Sequence, residues 1–253
     1  MKALLVYRKK DNVFKHINRI LENSGIIHKA VQRRRAGRHH VSGNDLVITL
    51  GGDGTFLRAA HLVRDELMLG VNPDPGKNEA FFARATKEDF EKKLDRIINR
   101  RYKVLKLLRL ESRINGKRLP ILALNEVFAG SILPWHTSMY KIKIENKEEY
   151  QKSSGVLIGT PAGSTAWIKS AGGARLPLMS RKFQYAVRDP YFGRLLKPRM
   201  IKGVLGPDKE VAIKSDINRG LVIIDSVGHD YRFNVGDRIV VRPSKQFLNL
   251  VSF

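Results

Sequence analysis

The first hundred residues alternate between short apolar runs and stretches in which apolar residues recur three and four positions apart. Short runs rich in β-branched residues predict buried strands, and the helical spacing predicts amphipathic helices. This alternation is typical of a parallel sheet with helices packed against it. The predicted strands cover 2–7, 26–31, 46–50 and 67–71, and the predicted helices cover 12–24, about 56–66 and 87–99.

Beyond residue 102 the pattern becomes strand-like and helical spacing is scarce. Runs at 103–114 and 118–128 are joined by Asn115-Gly116, a dipeptide typical of tight β-hairpin turns. We therefore predict an α/β, Rossmann-like domain with a parallel sheet over 1–102 and an all-β sandwich domain over 103–240, followed by a tail over 241–253. Further predicted strands cover 139–145, 155–159, 211–215, 221–225 and 238–242.

The third predicted strand ends in the turn Gly51-Gly52-Asp53-Gly54-Thr55, after which a helical pattern begins. Glycines permit a sharp turn and a close approach of the backbone to a ligand. We expect Thr55 to cap the helix, whose free N–H groups would seat a phosphate. Asp53 would repel phosphate, so it fits a group that holds magnesium or takes a proton from a hydroxyl. A plain turn aspartate is the alternative, and the Walker pattern is absent.

Four other polar groups are candidate ligand contacts. Asn72 begins a Pro/Gly-rich loop at the same end of the predicted sheet as the glycine turn. Asn125 and Glu126 end an apolar strand and offer donor and acceptor groups that suit ribose hydroxyls or an adenine edge. Asp225 is a weaker candidate, because it fits a turn acid equally well. Ordinary loop residues are the alternative for each.

Hydroxyl groups are concentrated in a turn of the second half. An apolar strand enters Thr160-Pro161-Ala162-Gly163-Ser164-Thr165-Ala166-Trp167, and a short helix is predicted to follow. Ser164 and Thr165 at its N-terminus would bond a phosphate or a substrate hydroxyl. A helix cap without a ligand is the alternative.

The charge of the chain is strongly basic, with 47 Lys+Arg against 24 Asp+Glu and a net charge of +23. This excess attracts polyanions, either small ones such as nucleotides or nucleic acid, and a solvated basic surface is the alternative. The basic run at 32–40 lacks interleaved aromatics, which argues against base stacking. The chain contains no cysteine, which excludes disulfides and thiolate metal sites. We expect no membrane helix, no signal peptide and a cytoplasmic location.

The glycine turn resembles the signature that NAD kinases share with diacylglycerol and sphingosine kinases. Asn125-Glu126 resembles the Asn-Glu/Asp motif of the NAD kinases, and 160–167 resembles their Thr-Pro-Thr-Gly-Ser-Thr-Ala-Tyr segment, with Ala171-Gly172-Gly173 in place after it. Lipid kinases lack this combination. The resemblance runs from about residue 45 to the C-terminus. Finer features at 70–75, 125–128, 151–155 and 187–190 are similar to the branch that includes mitochondrial NAD kinases.

The resemblance implies an NAD kinase/diacylglycerol kinase-like fold and transfer of the ATP γ-phosphate to the 2′-hydroxyl of the adenosine ribose of NAD. It implies that Asp53 is the general base, that Mg²⁺ accompanies ATP with few protein ligands, and that no organic cofactor is tightly bound. It further implies a homodimer or homotetramer and a C-terminal tail that returns to the first domain. The implied binding residues are Gly51, Gly52, Gly54, Thr55, Asn125, Glu126, Thr160, Ser164, Thr165 and Ala166. The full set of candidate binding residues also includes Asn72, Ser154, Trp167 and Asp225.

Four residues depart from the typical family pattern. Trp167 replaces a tyrosine, Ala162 a hydroxyl residue and Ser154 an aspartate, and His136 stands near a usual arginine. These changes leave Asp53 in place. The choice between NAD and NADH, and between ATP and polyphosphate as donor, stays open. The alternative functions are a lipid kinase and a non-catalytic protein that binds dinucleotide or nucleic acid.

Overall fold

The computed structural model describes residues 1–253, which form two compact units. The first unit comprises Met1–Lys106 and Phe247–Phe253, and the second comprises Leu107–Gln246. The sequence predicted boundaries at 102/103 and 240/241, so the structural division lies a few residues later at each place.

The helices and strands of the first unit, in chain order, are β1 (Lys2–Tyr7), α1 (Asn12–Asn23), β2 (Ile27–Gln32), α2 (Arg38–Val41), β3 (Leu46–Leu50), α3 (Asp53–Ala60), β4 (Leu67–Asn72), β5 (Ala83–Thr86), α4 (Phe90–Ile98) and β6 (Lys103–Leu107). The second unit contains β7 (Leu110–Ile114), β8 (Lys117–Arg118), β9 (Glu126–Ser131), β10 (Ser138–Ile144), β11 (Lys147–Ser153), β12 (Val156–Gly159), a 3₁₀ helix (Ala162–Thr165), α5 (Trp167–Ser170), β13 (Phe183–Val187), β14 (Lys202–Leu205), β15 (Val211–Ser215), β16 (Gly220–Ile224), β17 (Asp230–Arg232) and β18 (Arg238–Pro243). The last strand, β19 (Leu248–Ser252), belongs to the first unit.

The first unit is organised by one mostly parallel sheet of order β2–β1–β3–β4–β19–β6, with β5 also paired to β4. β1 pairs in parallel with β2 and β3, and β3 pairs in parallel with β4. The carboxyl ends of these four strands therefore lie at one edge, which is where ligands bind in open α/β sheets. The glycine turn follows β3 at this edge.

The core of the first unit lies between the sheet and the apolar faces of two amphipathic helices. Asp11 caps α1 by accepting a hydrogen bond from the N–H of Phe14 at 3.0 Å. The apolar faces of α1 and α4 bury against the sheet, together with Val251 of β19. The helix residues in this core are Phe14, Ile17, Ile20 and Leu21 of α1 and Phe90, Leu94 and Ile97 of α4.

The second unit is built from two six-stranded sheets. One has the order β11–β10–β15–β18–β7–β8 and the other the order β14–β13–β12–β9–β16–β17. Asn115 and Gly116 join β7 to β8 with φ of 49° and 81°, as expected for a two-residue hairpin turn. The predicted fold class is confirmed, with an α/β first unit and a β-rich second unit. None of the helices is long and apolar enough to cross a lipid bilayer.

The start and the end of α3 differ from the prediction. The helix begins at Asp53 behind an extended Gly52, so Gly52 and not Thr55 occupies the cap position. It ends at Ala60, whereas the spacing predicted a helix to about Glu66. The Glu66 carboxylate accepts the N–H groups of Arg64 and Asp65, at 2.7 and 3.2 Å. This side chain competes for donors that a continuing helix would need.

Two other segments were predicted wrongly. No helix or strand was predicted between the strands at 26–31 and 46–50, yet this stretch contains the short helix α2. The predicted strand at 118–128 is mostly irregular, with only the start of β9 and the end of β8 inside it. In this stretch the N–H groups of Leu124, Asn125 and Glu126 bond the carboxylate of Asp225. A distant side chain therefore replaces the strand partner that the apolar pattern suggested.

The C-terminal strand gives a test of the first unit. Leu250 of β19 pairs with Met68 of β4 and is fully buried. We expect Leu250→Ala to lower the free energy of unfolding by roughly 2–5 kcal/mol, because it leaves a cavity in a packed sheet. Urea denaturation measures the change, with the less buried Ser252→Ala as the control. Equal stability of the two variants would show that β19 is not integral to the sheet.

Candidate active site

The glycine turn lies at the carboxyl edge of the first sheet and has a backbone that only glycine readily adopts. Gly51 has φ of +152°, and a Cβ there would lie 2.6 Å from Thr55 Oγ1. Gly52 caps α3 without a side chain. Thr55 is buried inside the first helical turn. The turn therefore offers bare backbone at the start of an eight-residue helix.

Asp53 stands at the first position of α3 and is held by the backbone. Its two carboxylate oxygens accept the N–H groups of Phe81 and Phe82, at 3.0 and 3.1 Å. Phe82 is fixed in turn, because its ring stacks on Phe56 at 4.7 Å. These contacts orient the carboxylate, and Asp53 as a whole is only half-buried. It is thus positioned to act on a group at the edge of the sheet.

Arg84 is a neighbour of Asp53 that the sequence did not single out. Its Nη1 donates to the carbonyl oxygens of Phe81 and Ala83, at 2.9 and 2.8 Å. Burial lowers the pKa of Arg84, and the charge of Asp53 opposes that effect. The guanidinium thus holds the Phe81 segment that orients the Asp53 carboxylate.

A cleft of about 340 Å³ opens beside the glycine turn. Asn72 supports its wall, since its Nδ2 donates to the Asn78 carbonyl at 2.8 Å and its Oδ1 accepts the Asp74 N–H at 3.1 Å. The amide of Asn72 therefore shapes the loop that follows β4. The cleft is lined by Arg8, Lys9, Asp11, Val13, Leu50, Gly51, Gly52, Pro73, Asp74, Asn78 and Lys87.

The second unit contains a buried carboxylate that gathers three successive N–H groups. Asp225 is 3% exposed. Its oxygens accept from Leu124, Asn125 and Glu126, at 2.8, 2.7 and 3.0 Å. Its φ of 52° is unusual for a residue other than glycine. Asp225, the weaker candidate of the sequence, thus fixes the backbone of the Asn-Glu pair.

The hydroxyl-rich turn, 160–167, is hydrogen-bonded to the backbone of the segment that carries Asn125 and Glu126. The Thr160 N–H donates to the Asn125 carbonyl at 2.8 Å, and its hydroxyl donates to the Leu124 carbonyl. The Gly163 N–H donates to Thr160 Oγ1 at 3.0 Å. A Cβ at Gly163 would lie 2.2 Å from the Asn125 carbonyl oxygen, so the approach requires glycine here. Thr160 therefore links the two motifs.

Asn125 and Glu126 carry buried oxygens without partners. The two residues are 9% and 3% exposed, and neither Asn125 Oδ1 nor Glu126 Oε2 has a hydrogen-bond partner. An unsatisfied buried polar atom costs roughly 1–3 kcal/mol. Burial, together with the charge of Asp225, raises the pKa of Glu126 to about 8. A ligand with hydroxyl or amine groups would satisfy both oxygens.

The other predicted contacts in the hydroxyl-rich turn differ among themselves. Ser164 Oγ donates to the Pro161 carbonyl at 2.7 Å and accepts the Leu176 N–H at 3.1 Å, so its hydroxyl serves the backbone. Thr165 is exposed and Ala166 is half-buried. Both precede the four-residue helix α5. The turn therefore does not begin a long helix whose N-terminus would attract phosphate.

An aromatic stack lies beside this turn. The rings of Trp167 and Phe128 stack with centroids 5.0 Å apart. The Arg188 guanidinium lies 4.9 Å from the Trp167 ring centroid. The backbone carbonyl of Arg188 accepts the Ser154 N–H at 2.9 Å. His136 is exposed in another loop. From the sequence, Arg188 was named only within the segment 187–190 and was given no role. Its packing on Trp167 depends on tertiary structure, which no local pattern indicates.

Comparison with known protein families decides the identity of the chain. The model of the ATP-NAD kinase N-terminal domain matches residues 8–102, and that of the ATP-NAD kinase C-terminal domain matches residues 124–253. This chain belongs to the ATP-NAD kinase family. It is an NAD kinase, and the match to both family domains does not favour a lipid kinase.

Relatives in plants and bacteria agree with this family. A probable NADH kinase of Oryza sativa is 31% identical over 229 residues, which cover 82% of this chain and 70% of the relative. The NADH kinase of Arabidopsis thaliana is 30% identical over 94% of this chain and 82% of its own length. The NAD kinase of Acinetobacter baylyi is 32% identical over 82% of this chain and 67% of its own length.

Two solved structures of the family share the fold. An NAD kinase from Archaeoglobus fulgidus, in complex with ATP, superposes with a TM-score of 0.83 at 20% identity and covers 99% of this chain and 93% of its own. Yeast NADH kinase complexed with NADH gives a TM-score of 0.82 at 19% identity, covering 100% of this chain and 83% of its own. At this identity the likeness concerns the fold.

The raised pKa of Glu126 predicts a pH dependence of stability. The folded pKa of about 8 exceeds the ordinary value of 4.5, so the folded state binds more protons between these values. The contribution of Glu126 to the free energy of unfolding is fully present below pH 4.5 and is lost as the pH rises towards 8. Because Gln cannot ionise, the free energy of unfolding of Glu126→Gln should rise relative to that of the wild type as the pH increases through this window. The expected rise is up to about 1.4 kcal/mol per pH unit.

Urea denaturation at pH 5 and pH 8 measures this difference. The exposed Glu210→Gln in the same unit is the control and is expected to follow the wild type. A difference between Glu126→Gln and the wild type that does not change with pH would contradict the assignment.

Proposed function

We propose that this NAD kinase transfers the γ-phosphate of ATP to the 2′-hydroxyl of the adenosine ribose of NAD. The bond from the γ-phosphorus to the ribose oxygen forms while the bond from that phosphorus to the β–γ bridging oxygen breaks. The hydroxyl proton passes to a carboxylate, and ADP leaves. The observation that carries the proposal is the pair of buried, unpartnered oxygens on Asn125 and Glu126.

Asp53 is the proposed general base. Two backbone N–H groups hold its carboxylate, so it is oriented before a substrate arrives. Each oxygen accepts one of these hydrogen bonds, and a carboxylate oxygen has capacity for more than one. The half-exposed carboxylate can therefore take the ribose proton while it keeps its backbone contacts.

Asn125 and Glu126 are the proposed contacts of the adenosine part of NAD. Neutral Glu126 can donate a hydrogen bond as well as accept one, because burial and Asp225 keep its pKa near 8. Asn125 Oδ1 is an acceptor without a donor. A ribose hydroxyl and an exocyclic amine supply the groups that these atoms lack.

The remaining predicted contacts have more limited roles in this proposal. Gly51, Gly52 and Gly54 supply bare backbone for the phosphates. Trp167 offers a ring face to the dinucleotide, and Ser154 is tied to the backbone of Arg188, whose guanidinium lies over that ring. Ala166 precedes Trp167, and Thr165 is the exposed member of the turn. Thr160 and Ser164 shape the site through backbone hydrogen bonds, as do Asn72 and Asp225.

We propose that Mg²⁺ enters with ATP. No group of three or more His, Cys, Asp or Glu side chains could hold a metal ion in this chain. Phosphate oxygens and water would then supply most ligands, which is usual for magnesium. When bound, the ion neutralises charge on the phosphates.

We further propose a homodimer or homotetramer in the cytoplasm. Two loops of the second unit expose apolar side chains, with Trp135 76% and Leu195 92% exposed. Exposed apolar residues in groups often mark protein interfaces. Light scattering after size-exclusion chromatography gives the mass. Placement in the branch that includes mitochondrial NAD kinases stays a prediction.

The test of the base is Asp53→Asn. We expect an intact fold and a turnover reduced by roughly 10²–10⁴-fold, the usual effect of losing a general base. NADP or NADPH formation from MgATP and either NAD or NADH is measured with a coupled dehydrogenase. Both dinucleotides are used because the two plant relatives are named as NADH kinases.

The exposed Asp65→Asn, in the same unit, is the control and should retain wild-type turnover. Wild-type turnover in a folded Asp53→Asn variant would remove Asp53 from the mechanism. The kinase assignment itself would be overturned if the wild-type protein made no product from NAD or NADH with either MgATP or polyphosphate as the donor.

A further inference from the structure

Four arginines, from the loops after β1 and β2 and from α3, lie near one another close to the glycine turn. Arg8 follows β1, and its N–H donates to the Leu50 carbonyl at 3.2 Å. Arg33 follows β2, and its N–H donates to the Tyr7 carbonyl at 2.9 Å. Both residues therefore lie at the carboxyl edge of the sheet. Arg34 is the next residue, and Arg58 lies on α3.

Arg33 lies directly over the turn. Its Nη1 donates to Thr55 Oγ1 at 3.2 Å. The same atom lies 4.0 Å from the position that a Cβ on Gly54 would occupy. The guanidinium thus lies beside Gly54, and the bond to a neutral hydroxyl leaves its charge uncompensated.

The local charge around Arg33 is positive. Burial and the charges of Arg8, Arg58 and Arg34 lower the pKa of Arg33. None of these four arginines forms an ion pair with a carboxylate. The acids of the adjoining cleft are already paired, Asp11 with Lys9 at 3.4 Å and Asp74 with Lys77 at 3.3 Å. A bound anion would relieve this repulsion.

The arginines that serve the structure of this unit have different surroundings. Arg38 pairs with Glu66 at 2.6 Å and donates to the Leu62 carbonyl at 2.8 Å. Arg84 donates to two carbonyls. Arg33 has neither kind of partner, although it is partly buried. Its donors are therefore available to a ligand.

We propose that Arg33, with Arg8, Arg34 and Arg58 around it, binds the phosphate chain of the donor nucleotide and is a positioning residue for phosphoryl transfer. This inference rests on the proposed function and adds to it residues outside the family motifs. The planar guanidinium suits two phosphate oxygens at once, which an ammonium group cannot match. The hydrogen bond to Thr55 holds the fork over the turn.

The test compares Arg33→Ala, Arg33→Lys and Arg35→Ala. Arg35 is an exposed neighbour in the same loop whose N–H bonds the Gln32 carbonyl, so its replacement removes the same charge and leaves that contact. We expect Arg33→Ala to raise the KM for MgATP by about tenfold or more, since charged hydrogen bonds are lost. The KM for NAD should stay within about twofold, and Arg33→Lys should recover part of the loss.

Calorimetry with inorganic tripolyphosphate supplies a readout that does not depend on turnover. We expect the wild type and Arg35→Ala to bind it, and Arg33→Ala to bind about tenfold more weakly. Thermal melting checks the fold. Arg58→Ala leaves the Thr55 contact untouched and should show a smaller loss of the same kind, so the inference does not depend on one variant.

Several results would overturn the inference. The first is that Arg33→Ala and Arg35→Ala show the same KM for MgATP and the same Kd for tripolyphosphate. The second is that Arg33→Ala changes only the KM for NAD, and the third is that the wild type does not bind tripolyphosphate. Failure of the wild type to make NADP would reject the proposed function instead. Calorimetry would then still decide whether the arginines form a phosphate site.

Discussion

The second unit depends on one buried carboxylate that accepts three consecutive backbone N–H groups. Asp225 holds the amides of Leu124, Asn125 and Glu126, which takes this segment out of a regular strand. Asp225 and Thr160 satisfy backbone groups of this segment, while Asn125 Oδ1 and Glu126 Oε2 stay buried and unpartnered. The same negative charge contributes to the raised pKa of Glu126. One interaction thus sets both the geometry and the protonation of the proposed dinucleotide contact.

Asp53 shows how a similar interaction serves a different purpose. Its carboxylate is also held by successive backbone amides, those of Phe81 and Phe82. Asp225, however, is fully enclosed, whereas Asp53 is half-exposed at the edge of a parallel sheet. Enclosure makes Asp225 a structural anchor. Exposure at the place where ligands bind in α/β sheets makes Asp53 the candidate for chemistry.

The sequence predicted those elements whose cause is local. The strand at 46–50 has the predicted bounds because an uninterrupted apolar run ends at glycines. The strand at 211–215 and the Asn115-Gly116 turn also match. β11 was missed, because its sequence KEEYQKS is largely polar and five of its seven residues are exposed or half-buried. The partners of Asp225 and Arg33 are likewise tertiary, and no local pattern indicates them. The site motifs could be named from sequence, but the contacts that hold them could not.

The most direct test of this account is the binding of NAD to Asp225→Asn, measured by calorimetry beside the wild type and the exposed control Asp230→Asn. An amide offers one acceptor oxygen where the carboxylate offers two, so the segment that carries Asn125 and Glu126 should lose its fixed geometry. The account predicts that the variant stays folded by thermal melting and that its Kd for NAD rises about tenfold or more, as expected for lost charged hydrogen bonds. A folded variant that binds NAD as tightly as the control would contradict it.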